Sequence, residues 1–258
     1  MEREIVNLLW TGGYDSTYRL VQLSREECTI QPYYIVNPKR ESLEYERKAM
    51  KDIYELLQAK PATKAELLPI KEINRGDYPV RQEIKDAYKG VLSKVKLGPQ
   101  YEWLSEITYH IPDLEMSFEK AEADPSDFEN LVQNSDFTTI HGEDRVRAVN
   151  VMTDKNDKDQ VTLLGNLRFP VDILNRTKKD FLVDFQAWDC MDIAKKTWFC
   201  STPINGEPCG YCAPCRSVVA EGLEFRLPEN SMKRYKNRYF WMVKYKIAKT
   251  WKQITGQW

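Results

Sequence analysis

Ile5-Val6-Asn7-Leu8-Leu9-Trp10-Thr11-Gly12-Gly13-Tyr14-Asp15-Ser16-Thr17-Tyr18-Arg19-Leu20-Val21-Gln22-Leu23 reads as strand, loop and helix in one pass. Residues 5 to 10 are a short apolar run, and from Ser16 to Leu23 the apolar residues fall at helical spacing. Between them, backbone amides and the N-terminus of the coming helix can hold phosphate oxygens, and two glycines let the backbone approach an anion closely. Thr11, Ser16 and Thr17 add hydroxyl donors. Asp15 suits a Mg²⁺ held through water, or the orientation of the loop, because an acid facing bare phosphate would repel it. The loop ends in neither G-K-[ST] nor G-x-G-x-x-G, so it is neither a Walker A loop nor a dinucleotide turn. The same residues also fit a plain Gly-Gly turn with a helix cap.

Outward from this stretch the alternation continues. Tyr33 to Val36 predicts a strand, and Ser42 is placed to cap a helix reaching about Gln58. Ala65 to Ile70 offers another strand, Val80 to Val95 a helix, Trp103 to Tyr109 a further helix and Leu114 to Phe118 a further strand. The acidic stretch Glu119 to Glu129 reads as loop or short helix. The charged turn D-K-N-D-K-D lies between Val146 to Met152 and Val161 to Leu167, which are expected to form a hairpin. Thr177 opens a helix, and another starts near Arg216. Strands alternating with helices predict an α/β fold, a mainly parallel sheet with helices on both faces.

At 258 residues, with 42% hydrophobic and 30% charged residues, the chain has enough apolar material for a core without disulfide staples. Glu2-Arg3-Glu4 leads straight into the first strand and no run is long enough to span a membrane, so a cytoplasmic protein is expected. The net charge of −1 gives no whole-molecule field that favours nucleic acid.

Four of the six cysteines fall within sixteen residues, as Cys200-x8-Cys209-x2-Cys212-x2-Cys215. The C-G-Y-C-A-P-C turn can present three thiolates to one tetrahedral metal, with Gly210 and Pro214 shaping it. Zinc is expected in place of a cluster because the N-terminal loop points to non-redox chemistry, although spacing alone leaves iron open. Four cysteine ligands leave no open coordination position, so the metal is structural. Cys28 and Cys190 have no assigned role.

Thr11 to Thr17 resembles the S-G-G-x-D-S-T signature of PP-loop ATP pyrophosphatases, with Thr11 where serine is usual. Trp198-Phe199-Cys200 leading into C-G-Y-C-A-P-C is similar to the zinc site of the 7-cyano-7-deazaguanine synthase (QueC-like) family. Pro170 to Asp180, P-V-D-I-L-N-R-T-K-K-D, resembles that family's Pro followed by Thr-Lys-x-Glu. The resemblance implies the adenine nucleotide alpha hydrolase-like form of the α/β fold. It implies ATP held by Thr11, Gly12, Gly13, Asp15, Ser16, Thr17 and Lys178, with Mg²⁺, and catalysis by Asp15, Ser16 and Lys178. Zn²⁺ would sit on Cys200, Cys209, Cys212 and Cys215. The implied activity belongs to queuosine biosynthesis: adenylation of the carboxylate of 7-carboxy-7-deazaguanine, amide formation with ammonia, and a second activation to the nitrile.

The chain departs from the family after the second strand, with Val36-Asn37-Pro38-Lys39-Arg40-Glu41 in place of D-Y-G-Q-x-H, and Leu97 to Arg168 matches only loosely. Three alternatives follow: a ligase passing the deazaguanine carboxylate to another amine, such as one on a protein; a tRNA-modifying PP-loop enzyme; and a non-catalytic nucleotide-binding module. His110 and His141 sit in no motif that supplies a partner and are expected to be structural.

The organisation expected is an α/β ATP-binding domain over 1–190 with an inserted β-rich segment about 136–169, a zinc-binding segment over 191–230 packed on it, and a tail over 231–258. The tail carries eight Lys or Arg and no acid, interleaved with aromatics from Tyr235 to Trp258. It suits an amphipathic helix packed on the core, or a surface for a protein partner or homodimer ahead of nucleic acid, with no membrane role. The small-molecule partners expected are the deazaguanine and an amine donor.

Overall fold

Val6 and Leu8 are buried while Ile5 is exposed and Asn7 and Leu9 are half-buried, the period-two alternation of a strand with one face deeper in the core than the other. This strand, β1 (Ile5–Leu9), runs into α1 (Tyr14–Ser24), then β2 (Thr29–Val36) and α2 (Leu43–Ala59). Two short strands, β3 (Glu66–Leu67) and β4 (Lys71–Asn74), follow in line, each pairing with β2. Next come α3 (Gln82–Leu92), α4 (Gln100–Thr108), β5 (Leu114–Glu115) and α5 (Asp127–Gln133). Then follow β6 (Phe137–Ile140), β7 (Val149–Met152), α6 (Lys158–Leu164), β8 (Leu167–Pro170) and α7 (Val171–Leu174). The chain continues through α8 (Lys178–Ala187), α9 (Met191–Lys196), α10 (Ala213–Ala220), α11 (Glu229–Lys236) and α12 (Arg238–Thr255). This computed structural model describes residues 3–121, 125–140 and 145–255; His141 and Trp258 lie outside them.

The strands form one mixed, mostly parallel sheet, ordered β3-β2-β1-β5-β8-β7-β6 with β4 also on β2. All pairings from β3 and β4 to β8 are parallel, and β7 and β6 add antiparallel strands at the far edge. One face is packed by α1, α2, α8 and α9 around Trp10, Tyr18, Ile53 and Phe181; the other by α3, α4, α5 and α6 around Ile84, Leu104, Val132 and Leu164. The chain leaves β1 for β2 on one side and later returns to lay β5 on the other. In a doubly covered parallel sheet, such a switch opens a crevice beyond the carboxyl ends of the two strands.

The expected hairpin is not formed as read. β7 pairs with β6, and residues 158–164 are helical. Asp157 caps α6 by accepting from the Asp159 amide, and Gln160, Leu163 and Leu164 are buried at helical spacing, so the charged turn starts a helix. Ser42 also differs from its expected role: it stands at the start of α2, but its hydroxyl donates to Glu46 Oε1 at 2.6 Å instead of capping the helix. Glu46 is buried and accepts from Tyr34 as well, at 2.5 Å.

Residues from 191 onward share the core of the sheet's first face: Ile193, Ala194, Cys200, Cys215 and Leu227 lie in the same cluster as Leu8 and Phe181. α12 sets Trp241, Met242 and Tyr245 against that cluster and leaves Tyr239, Phe240, Val243, Ile247 and Trp251 exposed. Core packing therefore accounts for only part of the tail's aromatic content. Among the described residues, no helix is long and apolar enough to cross a membrane.

A buried ion pair fastens α1 to β5. Arg19 Nε and Nη2 donate to Glu115 at 2.8 and 3.0 Å, and Nη1 donates to Gln22 and to the Val146 carbonyl. Removing one partner strands the other charge in the core, so Arg19→Met should destabilise the fold by about 3–5 kcal/mol in chemical denaturation. Adding Glu115→Leu should restore much of that loss, and an unchanged single variant would show that the pair carries no stability.

Candidate functional site

The loop after β1 is held in a set shape. Gly12 adopts φ +68°, and a Cβ there would meet Met50 Cγ at 2.9 Å, so glycine is required on both counts. Thr11 Oγ1 and Ser16 Oγ lie 3.2 Å apart, the Thr11 amide donates to Ser16 Oγ at 3.3 Å, and the Gly13 amide donates to Thr11 Oγ1 at 3.4 Å. Gly13 is the N-cap of α1 and no side chain caps that helix, so its first amides are left for another acceptor. Thr17 is turned away: it is fully buried and its hydroxyl accepts from Trp10 Nε1 at 3.0 Å. It therefore braces the loop from beneath, with its hydroxyl turned to Trp10 and not to the loop's open side.

Beyond the loop lies a cavity of about 860 Å³, bordered by Gly13, Tyr14 and Asp15, by Glu119 after β5, by Lys178 at the start of α8, and by Glu221 and Arg226. The size suits a nucleotide-scale ligand. Lys178 Nζ pairs with Glu119 at 2.6 Å and Glu221 at 3.0 Å. Burial pushes the Asp15 carboxyl well above its ordinary range, and the neighbouring Glu119 charge adds to this. Burial works against the charge of Glu119 too, but the Asp15 hydrogen bond and Lys178 hold Glu119 below the usual carboxylate range. Lys178 stays above its ordinary value because Asp15, Glu119 and Glu221 outweigh its burial.

Among the described residues, the buried side-chain polar atoms without a protein partner are Tyr14 Oη, Asp15 Oδ1, Ser117 Oγ, and Arg226 Nε and Nη2. All but Ser117 belong to residues on the cavity wall, and Ser117 is two residues before Glu119. Native interiors pair nearly all such atoms, so this concentration makes the cavity wall the candidate place for a polar ligand.

The four clustered cysteines form the second centre. Their Sγ atoms all lie within 4.8 Å of one another, with separations of 3.8 Å for Cys209 to Cys215 and 3.9 Å for Cys200 to Cys212. A tetrahedral zinc with bonds of about 2.3 Å requires sulfurs about 3.8 Å apart, so these thiols fit the metal. The amides of Tyr211 and Cys212 and the Thr202 hydroxyl donate to Cys209 Sγ at 3.4, 3.2 and 3.3 Å, and the Cys209 amide to Cys200 Sγ at 3.1 Å. Such donors stabilise bound thiolates. Gly210, at φ +83°, lies so close under α11 that a Cβ would meet the Ser231 carbonyl at 2.2 Å. The knuckle also touches the loop: the Trp198 amide donates to the Gly12 carbonyl at 2.8 Å, and Trp198 Nε1 to the Cys200 carbonyl at 2.9 Å.

Of the residues predicted for the nucleotide, Gly13, Asp15 and Lys178 reach the cavity wall, with Ser16 behind them bonded to Thr11. Asp180 completes a capping box with Thr177 at the start of α8. His110 stacks on Tyr78 and lies 3.3 Å from Glu106, away from the cavity. The sequence reading missed Tyr14, Glu119, Glu221 and Arg226. Glu119 carried one usable signal, its position just beyond a strand of the parallel sheet; Arg226, in a 3-10 turn over 224–226, carried none. No protein-family model matches the chain, and no curated protein matches it either.

Proposed function

We propose that this chain is an ATP-dependent carbon-nitrogen ligase of the PP-loop type, with an adenine nucleotide alpha hydrolase-like fold and a structural zinc. It adenylates a carboxylate, on the sequence resemblance that of 7-carboxy-7-deazaguanine. The observation that carries this reading is the uncapped N-terminus of α1, which opens with Asp15, Glu119 and Lys178 onto a cavity of about 860 Å³ beyond the β1–β5 switch point.

In this reading a substrate carboxylate oxygen attacks the α-phosphorus of ATP, a P–O bond forms, and the α,β-bridging bond breaks with its electron pair leaving on pyrophosphate. An amine then attacks the acyl carbon, loses a proton, and AMP departs. The amides at Gly13 and Tyr14 bind phosphate oxygens. Lys178 balances the charge that develops on them, exchanging its contacts with Glu119 and Glu221 for the ligand. Asp15 and Glu119 would hold Mg²⁺, which supplies charge neutralisation between the phosphates when bound. Cys200, Cys209, Cys212 and Cys215 would hold Zn²⁺ and take no part in the chemistry.

The test is incubation of the purified protein with ATP, Mg²⁺ and 7-carboxy-7-deazaguanine, with and without ammonia, following pyrophosphate and product mass. Ammonia-dependent amide or nitrile is the expected result. Pyrophosphate release without either product would redirect the acyl group to another amine, such as one on a protein. Failure to consume ATP with this acid would sink the reading.

A further inference from the structure

Arg226 is 7% exposed, yet two of its donor atoms, Nε and Nη2, have no acceptor among the described residues. These two N–H groups lie side by side on one edge of the guanidinium. The same pair on Arg19 grips both oxygens of Glu115, at 2.8 and 3.0 Å, which is the fork geometry that matches carboxylates and phosphates. Among the described residues, no carboxylate is hydrogen-bonded to that edge of Arg226. It is held instead over the Tyr14 ring at 4.8 Å and the Phe199 ring at 4.4 Å, and both residues border the same cavity. Burial lowers its pKa only to about 10, so it remains a cation at neutral pH. Asp15 and Glu221 act on Arg226 only through their charge, and a buried guanidinium edge with no hydrogen-bonded acceptor is unfavourable on its own and is made good by an incoming anion.

We infer that Arg226 is the cavity's oxyanion receptor, its Nε–H and Nη2–H edge taking two oxygens of a single carboxylate or phosphate group on the ligand. The inference rests on the cavity being the substrate site, as in the proposed function, but not on any turnover of ATP. A carboxylate on the acid to be activated and a phosphate on the nucleotide share this chemistry, and binding measurements separate them.

Calorimetric titration of the full chain with inorganic pyrophosphate, and separately with 7-carboxy-7-deazaguanine, should be compared for wild type, Arg226→Gln and Arg226→Lys. Loss of a charge-assisted fork should weaken one probe by about tenfold or more and leave the other within about threefold, and the weakened probe names the source. Arg226→Lys, which keeps the charge without the fork, should recover only part of the loss. Unchanged binding of both probes by Arg226→Gln, or no binding of either by the wild type, overturns the inference.

A melting curve of ligand-free Arg226→Met guards against a purely structural role. A receptor without its anion gives the fold little, so the midpoint should hold or rise. A fall in midpoint together with equal weakening of both probes would overturn the inference, assigning Arg226 to the aromatic stack. Arg226-dependent anion binding without any ATP-dependent pyrophosphate release would reject the proposed function and leave the receptor standing.

Discussion

Lys178→Gln is expected to slow pyrophosphate release by about 10²- to 10³-fold, the range for removing one preorganised donor from a developing oxyanion. Lys178 is the cation that joins the two acidic walls of the cavity, with Glu119 at 2.6 Å and Glu221 at 3.0 Å. Without it, both carboxylates face an incoming polyphosphate with no intervening charge. The loss should fall mainly on kcat if Lys178 acts on charge that builds up during the reaction, and on KM if it only holds ground-state phosphate. Lys178→Arg should recover only part of the loss, because the longer, planar guanidinium keeps the charge but not the position of the compact ammonium. Pyrophosphate release within about threefold of wild type in Lys178→Gln would remove this lysine from the chemistry.

Stripping the metal, or replacing Cys209 with serine, is expected to have the largest effect on stability. Structural zinc contributes on the order of 10–16 kcal/mol of apparent binding free energy, and where no preformed site exists in the unfolded chain that energy is folding energy. Cys209 accepts hydrogen bonds from Tyr211, Cys212 and Thr202, so the knuckle folds around this sulfur. Metal analysis should give one zinc per chain, and a strong chelator should lower the melting midpoint by more than about 10 °C. The loss should extend beyond the knuckle: Trp198 is bonded to Gly12, so nucleotide binding should fail alongside the melting change. A metal-free protein with unchanged midpoint would show that the thiols carry no structural ion, and iron in the analysis would replace zinc while leaving the ligand set intact.

The parts of the fold that could be read from sequence are those fixed by neighbours along the chain. β1, the Gly-Gly loop and α1 follow from local period and from the φ that only Gly12 adopts readily. The cysteine knuckle was legible for the same reason, since three of its four thiols lie within a seven-residue turn. Val161 to Leu167 was misread because its β-branched and apolar residues match a strand, whereas Asp157 capping the segment and burial at helical spacing favour a helix. Ser42 had the right position for a cap, but a buried Glu46 competes for its hydroxyl. Arg226 was beyond a linear reading, and Glu119 offered only its place after a strand: each reaches the cavity through the strand order and the packing of the knuckle, and no periodicity encodes either.

The bond from Trp198 to Gly12 also sets an order of events at the ribosome. The glycine loop emerges well before Trp198, and β1, α1 and β2 can pair ahead of it. The wall the loop faces is made of residues 178, 198, 221 and 226, which are synthesised much later. Until those residues follow, a nascent chain exposes an apolar sheet face and an unfinished cavity wall, a long-range topology that folds slowly. The thiolates that gather the far wall follow far behind the loop, which makes metal capture a late step in the maturation of this site.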